Sequence, residues 1–388
     1  MSGRQSPLIA IEDSEILITT GLKGSYKFIE TNPIPQDWIK VLNDITRMKK
    51  ATILILGDVD TGKSGITLYL ANKLKLLGKR VAVVDTDIGQ SDIGPPGTIG
   101  LSLVEKPVTS YSDLPLTDAF FIGDKTPIGH LLPMVVGTKA MVERAFEIGA
   151  EFVLVNTTGM IYGGPAYALK SHKIEILKPD LILALEKEEE LEHIIKPYER
   201  MYKVRRLSVP SCIKRKGRAD RLGFRRLKFT QFLTGMKQIK LSLDKITLLN
   251  TMIGYSSENP QLRELVKNIT GKVPSRLLVN GPNIILVFDE VIDSSSYRAL
   301  RENLKEMFQE VKVICTPRLR GLLIGLYDDK KRFLGIGILK SLEIKKNSIY
   351  IKTAVKNHEE IKYVVFGFLF LNENGEEIGQ TKPGVLFV

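Results

Sequence analysis

Cysteine is nearly missing from this 388-residue chain: Cys212 and Cys315 are the only two, which excludes a disulfide framework and any cysteine-rich zinc site. Histidine is scarce too, and His130, His172, His193 and His358 are scattered without metal-ligand spacing. No apolar run reaches the roughly 18 residues of a membrane span, and the N-terminus lacks the apolar core of a signal peptide. The expected setting is therefore cytoplasmic, or nuclear in a eukaryote, with no membrane partner. No repeat recurs at a fixed period, which argues against solenoids and propellers. Acid is in short supply as well: 44 Asp and Glu stand against 56 Lys and Arg, a net charge of +12. An excess of that size favours a polyanionic partner. The remaining composition, 43% hydrophobic and 26% charged, is that of a globular protein long enough for two or three domains.

Against these absences one stretch stands out. Gly57-Asp58-Val59-Asp60-Thr61-Gly62-Lys63-Ser64 fits the phosphate-binding pattern G-x-x-x-x-G-K-[ST] at every required position. An apolar run, Ala51-Thr52-Ile53-Leu54-Ile55-Leu56, precedes it and reads as a buried strand. Residues 66–74 follow with helical apolar spacing and stop at Gly78, a suitable helix-ending residue. Strand, loop and helix in that order surround an anion with backbone N–H groups and a helix N-terminus. Gly57 to Gly65 are thus expected to hold the phosphates of a nucleoside triphosphate. Lys63 reaches the β- and γ-phosphates, and the Ser64 hydroxyl ligates Mg²⁺.

The chain around this loop alternates strand and helix. Arg80-Val81-Ala82-Val83-Val84 ends in Asp85-Thr86-Asp87-Ile88-Gly89-Gln90, which puts two acids where open α/β sheets bind ligands. Residues 94–100 read as a rigid Gly-Pro turn. Ala119-Phe120-Phe121-Ile122 runs into Gly123-Asp124-Lys125-Thr126-Pro127, a helix is expected over 138–149, and Phe152-Val153-Leu154-Val155 runs into Asn156-Thr157-Thr158-Gly159. Helices over 166–177 and 189–198 and strands over 181–185 and 204–209 complete a mostly parallel sheet with helices on both faces. Trp38, the only tryptophan, lies in a helix expected before the first core strand and reads as a packing anchor.

Residues 214–228 carry eight basic side chains and one acid, with Lys214, Arg218, Arg221 and Arg225 at helical spacing, so one helix face would be wholly cationic. It is either a solvated basic patch or a mobile arginine lid over phosphates. Beyond about 240 short strands dominate, as in 284–288, 322–327, 333–339, 348–354 and 363–371. They point to a β-rich domain, of which a small barrel is one form. The expected division is a short N-terminal β segment over 1–48, a phosphate-loop α/β domain over 49–238 and a β-rich domain over 239–388.

Taken in order, the phosphate loop, Asp85 to Gln90, Pro96-Gly97-Thr98, Gly123 to Pro127, Asn156 to Gly159 and the arginine run make the chain resemble a family. It is similar to the Clp1/Grc3 polynucleotide 5′-hydroxyl kinases, most of all to their compact archaeal members, with the likeness densest over 50–230. The resemblance implies a P-loop NTPase fold and ATP- and Mg²⁺-dependent phosphorylation of the 5′-hydroxyl of RNA, with DNA as a second acceptor. It also implies that Asp87 orients or deprotonates the hydroxyl, with Asp85 or a water on the metal. Gln90, Thr126 and Thr158 match substrate-side positions, and Arg218 and Arg221 match lid arginines. Two positions depart from the pattern: Gly65 replaces a hydroxyl, and Met160 replaces an aromatic for which Tyr162 is a substitute. The competing readings are a weakly active ATP-binding scaffold bound to RNA-processing proteins, and a small-molecule kinase or partition-type ATPase. The second fits poorly with an extended cationic surface.

Overall fold

The structure, a computed structural model, describes residues 34–211, 213, 217–257 and 259–382. The short N-terminal β segment expected before residue 34 lies outside the described residues. The chain divides into two compact units. One comprises Met1–Gly94, Thr98–Phe120 and Leu131–Phe224; the other comprises Pro95–Gly97, Phe121–His130 and Arg225–Val388. The division falls inside a helix, and two short loops of the α/β region group with the C-terminal unit. Among the described residues no helix is long and apolar enough to cross a membrane.

The first unit begins with α1 (Gln36–Thr46), β1 (Ala51–Gly57), α2 (Lys63–Leu76), β2 (Val81–Thr86), β3 (Thr98–Leu103) and β4 (Asp118–Phe121). It continues through α3 (Leu131–Glu147), β5 (Phe152–Thr157), α4 (Gly164–Leu177), β6 (Leu181–Glu186), α5 (Glu192–Ile195), β7 (Val204–Ser208) and the start of α6 (Arg218–Leu233). The strands form one sheet in the order β4-β3-β2-β5-β1-β6-β7. β2, β5, β1, β6 and β7 run parallel, and β3 pairs antiparallel to β2. Every residue of β1 is buried, because successive side chains point to opposite faces and both faces are covered. Ile53, Ile55, Val83, Leu154 and Leu183 join the core under α1 and α2. Their neighbours Leu54, Val84 and Val155, also inaccessible, face the other layer, where α3 packs on β2 and β5. Each such side chain contributes roughly 1.5–3 kcal/mol of transfer free energy.

Two helices depart from the sequence expectation. α3 starts at Leu131, not 138, because its two apparent breakers suit their places. Pro133 occupies the first turn, where a missing N–H costs nothing. Gly137 lies under the Phe120 ring, which a Cβ would meet at 2.4 Å. The charged helix expected over 189–198 shrinks to the four residues of α5 and a 3-10 turn at Lys196–Tyr198, since Pro197 cannot continue the α-helical ladder. Part of the expected turn at 94–100 is strand, β3 starting at Thr98.

The second unit holds β8 (Lys237–Ser242), β9 (Thr247–Leu249), α7 (Pro260–Thr270), β10 (Arg276–Asn280), β11 (Asn283–Phe288), α8 (Ser294–Leu304) and β12 (Glu310–Cys315). β13 (Leu322–Tyr327), β14 (Phe333–Glu343), β15 (Ser348–Thr353), β16 (Tyr363–Leu371) and β17 (Glu377–Gln380) follow. The strands make no single barrel. One open sheet runs β17-β16-β13-β14-β15-β8, with β9 beside β16, and a second runs β10-β11-β12. The reason lies in β11, which is apolar on both faces. Ile285 and Val287 pack into the core of the large sheet, while Ile284, Leu286 and Phe288 pack under α7 and α8. A strand shared by two cores builds layers, not a closed cylinder.

Trp38 ties α1 to the first unit. It is 5% exposed, its indole nitrogen donates to the Ser208 carbonyl at 3.2 Å, and the Asp37 carboxylate accepts from Ser208 N at 2.6 Å. We expect Trp38→Ala to cost about 3–5 kcal/mol and Trp38→Phe considerably less, read as denaturant midpoints by circular dichroism. Equal midpoints for the Ala variant and the wild type would mean that α1 is not part of the folding unit.

Candidate active site

The phosphate loop folds as its glycines require. Asp60 and Gly62 take positive φ (56° and 95°), and Gly62 caps α2 without a side-chain hydrogen bond. The first-turn N–H groups of α2 therefore have no capping oxygen from Gly62, the arrangement that receives an anion. Gly57 has no room for a side chain, since a Cβ would meet Thr61 Oγ1 at 2.5 Å. Gly65 faces only the Trp38 ring, 3.7 Å from the place of a Cβ. Lys63 is 7% exposed and its ammonium donates to the Asp58 carbonyl at 2.5 Å. Burial pulls its pKa down to about 8 against the opposing pull of Asp87, Asp58, Asp60 and Asp85.

The acids after β2 stand across from Ser64. Asp85 is 1% exposed. It accepts from Asn156 Nδ2 at 3.2 Å, from Asp87 N at 3.2 Å and from Asp92 N at 3.0 Å. Burial, with Asp92 and Asp87 adding to it, pushes its pKa up to about 8. The same Asn156 amide donates to Ser64 Oγ at 3.4 Å, so Asn156 links the loop hydroxyl to the buried acid. Asp87 is half-buried and accepts from Gln90 N at 3.2 Å, forming the turn that carries Gln90. Gln90 Nε2 is buried with no hydrogen-bond partner among the described residues. A buried carboxylate beside a second acid and a hydroxyl is a hard-oxygen set of the kind that takes Mg²⁺.

The turn after β5 presses on the loop. A Cβ at Gly159 would lie 2.5 Å from Val59 Cγ2 and 2.6 Å from its backbone nitrogen, so only glycine permits the approach. Thr158 is buried, and Tyr162 beyond it is 64% exposed. Arg221, on α6, reaches the loop through an ion pair with Asp60 at 3.2 Å. Lys63, Ser64, Asp85, Asp87, Gln90, Thr158 and Arg221 thus belong to one unit. Thr126 does not: it lies in Phe121–His130, which groups with the second unit, and its hydroxyl accepts from Ile128 N at 3.3 Å. There Asp124, fully buried, is held by His130 at 2.7 Å and by Gln380 at 2.9 Å.

The basic run is not one uncommitted cationic face. Arg218 opens α6, its side chain outside the described set, and Lys214 lies outside it entirely. Arg225 pairs with Glu377 at 2.5 Å, Arg226 with Glu376 at 2.9 Å, and Lys228 is 7% exposed. Among the described side chains of the run, Arg221 is the one paired with the phosphate loop.

Two residues escaped the sequence reading, Lys170 and Lys173, and Asn156 entered it only as part of the Asn156–Gly159 motif, with no role of its own. Both lysines are fully buried. Lys170 Nζ donates to the Thr158 carbonyl at 2.5 Å and Lys173 Nζ to Thr86 Oγ1 at 2.8 Å. Burial depresses both pKa values, that of Lys173 to about 7. The signal was present. Ala166, Leu169, Lys170, Lys173, Ile174 and Leu177 follow the i, i+3, i+4 stripe by which a helix faces its core, and the lysines occupy two of its places.

Residues 57–235 match the family described as mRNA cleavage and polyadenylation factor CLP1 P-loop. The polyribonucleotide 5′-hydroxyl-kinase of Pyrococcus abyssi is 36% identical over 92% of this chain and 98% of its own length. This chain belongs to the polyribonucleotide 5′-hydroxyl-kinase family. The corresponding kinase of Methanocaldococcus jannaschii is 30% identical over 90% of this chain and 95% of its own length. A Clp1 kinase of Danio rerio is 27% identical over 35% of this chain and 32% of its own length. Among solved structures, a Clp1p–Pcf11p complex shares the fold, with a TM-score of 0.56, 11% identity, and coverage of 85% of this chain and 78% of that one. The mostly parallel core and the β-rich C-terminal part are thus those of this kinase family.

Two outcomes follow from the site. Gly159→Ala should force Val59 and the loop backbone apart, an overpacking cost of about 1–3 kcal/mol. Affinity for a non-hydrolysable ATP analogue should fall roughly tenfold, measured by calorimetric titration; unchanged affinity would mean that the loop yields freely. Asp85 holds its proton in the folded state up to about 8, against 3.8 for an unperturbed carboxyl. Its contribution to stability is therefore complete below 3.8 and is lost as pH rises toward 8. Without nucleotide or metal, Asp85→Asn should gain melting temperature over the wild type increasingly across that window. A constant difference would contradict the assignment.

Proposed function

We propose that this chain transfers the γ-phosphoryl group of ATP to the 5′-hydroxyl end of RNA, yielding ADP and a 5′-phosphorylated end, in a Mg²⁺-dependent reaction. The observation that carries the reading is the joining of Ser64, Asn156 and Asp85 beside Asp87, directly behind a phosphate loop that Arg221 also reaches. The full-length relatives named for polyribonucleotide 5′-hydroxyl phosphorylation support RNA as acceptor, and the excess of basic residues agrees with a polyanion. A DNA 5′ end offers the same hydroxyl and is the second acceptor to compare.

In this reading Gly57 to Gly65 and the N-terminus of α2 cradle the triphosphate, and Lys63 leaves the Asp58 carbonyl for phosphate oxygens. Ser64, Asp85 and Asp87 would hold the divalent cation, which when bound supplies neutralisation of charge building on the phosphate oxygens. Asp87 orients the 5′-hydroxyl and takes its proton as the acceptor oxygen bonds to the γ-phosphorus. The bond from that phosphorus to the bridging oxygen breaks, and ADP keeps the electron pair. Gln90, with its buried unpartnered amide, donates to the RNA end, and Thr158 supplies a further polar group beside it. Arg221, with Arg218, neutralises the phosphoryl group in flight. Tyr162, exposed beyond Gly159, offers a ring for base stacking.

Arginines in such roles are worth roughly 10³–10⁵ in rate, and two sharing the task should each contribute less. Arg221→Ala should cut kcat by on the order of 10–10³-fold with the KM for a 5′-hydroxyl oligoribonucleotide little changed. Arg221→Lys should recover little, because an ammonium lacks the two-pronged contact. The KM for RNA should also climb steeply with salt while that for ATP responds less. A variant with normal kcat and raised KM would make Arg221 a docking residue. Shallow and equal salt dependence would point to a small acceptor instead.

A further inference from the structure

Lys170 and Lys173 have no role in the reading above, and their burial demands one. Each lies at a place on α4 where Leu or Met would pack without penalty, yet each carries an amine that is taken entirely out of water. Desolvating an ammonium costs several kcal/mol after relaxation, and natural chains keep such groups where they serve a site. The two amines reach different turns. Lys173 Nζ donates to Thr86 Oγ1, and Thr86 stands between Asp85 and Asp87; the Thr86 hydroxyl in turn donates to the Asn156 carbonyl at 3.0 Å. Lys170 Nζ donates to the carbonyl of Thr158, the residue before the glycine that touches Val59. The turn after β2 and the turn after β5 are therefore both gripped from below by one helix. Thr157 adds a third tie, its hydroxyl donating to the Ile55 carbonyl in β1 at 2.7 Å.

We propose that Lys170 and Lys173 are positioning residues for phosphoryl transfer: α4 uses their amines to fix the Asp85-Thr86-Asp87 turn and the Thr158-Gly159 turn in one arrangement. The proposal rests on the kinase reading, since it sets the aim of Asp87 on the acceptor. Neither lysine touches a reacting atom. They act through Thr86 and through the Thr158 backbone, and the inaccessibility of both amines keeps that grip dry.

The test separates aim from folding. Lys173→Met leaves the Thr86 hydroxyl without its donor, whereas Thr86→Val with Lys173→Met removes that pair together and gives up only the Thr86 hydroxyl's further bond to the Asn156 carbonyl, a net loss on the order of one hydrogen bond. The double variant should melt within a few degrees of the wild type. Its kcat on a 5′-hydroxyl oligoribonucleotide should still be lower by roughly 10²-fold, the scale of a small misplacement of reacting groups. Its KM for ATP should stay within about threefold, because the phosphate loop is untouched. Lys170→Met should lower kcat in the same way. A double variant that regains both melting temperature and kcat overturns the proposal and leaves the lysines as structural pins. Loss of ATP affinity in step with kcat overturns it too, since the grip would then act on the loop. Wild-type protein assayed alongside distinguishes the two levels. If it transfers no phosphate to RNA, the kinase reading fails and this one with it; if it does and the double variant matches it, only the positioning role fails.

Discussion

Everything at the ligand end of the first unit depends on one electrostatic constraint. Three lysine amines, Lys63, Lys170 and Lys173, are withdrawn from water around the side chains of Asp85 and Asp87. Such a cluster is stable only if each amine has a fixed partner and the surrounding structure is rigid. The partners are the Asp58 carbonyl, the Thr158 carbonyl and the Thr86 hydroxyl. The rigidity comes from β1, β2 and β5, whose buried registers set the three turns side by side. A sheet inaccessible on both faces supplies the stability, and the charged end spends part of it on pre-organisation.

Glycine is the second half of that constraint. The phosphate loop could not meet the turn after β5 if residue 159 carried a side chain, nor could α2 begin where it does if Gly62 could not adopt positive φ. Close backbone approach brings Thr158, and the lysine that holds it, to the loop. Arg221 approaches from α6 and pairs with Asp60, itself at positive φ.

The phosphate loop, the order of the parallel strands' motifs and the acids after β2 were legible in the sequence because each depends on neighbouring residues. What failed depended on distant ones. Gly137 and Pro133 look like helix breakers until Phe120 and the first helical turn are taken into account. The C-terminal strands suggested a barrel because nothing local reveals that β11 serves two cores. Arg225 looked like a member of a free cationic face, but its acid lies some 150 residues further along, at Glu377. Lys170 and Lys173 were the most instructive omission. Charged residues on an amphipathic helix are usually taken for its wet side, yet their phase relative to Ala166, Leu169, Ile174 and Leu177 puts them on the dry one.

The central claim is that this end of the sheet moves a phosphoryl group onto a polynucleotide end. The most direct measurement follows label from the γ-phosphate of ATP in the presence of one oligoribonucleotide prepared in two forms, with a free 5′-hydroxyl and with that position already phosphorylated. The account predicts label on the 5′-hydroxyl form alone, stoichiometric with ADP, and none from the Lys63→Ala protein. ATP consumption indifferent to the state of the RNA end, with label released as inorganic phosphate, would contradict it.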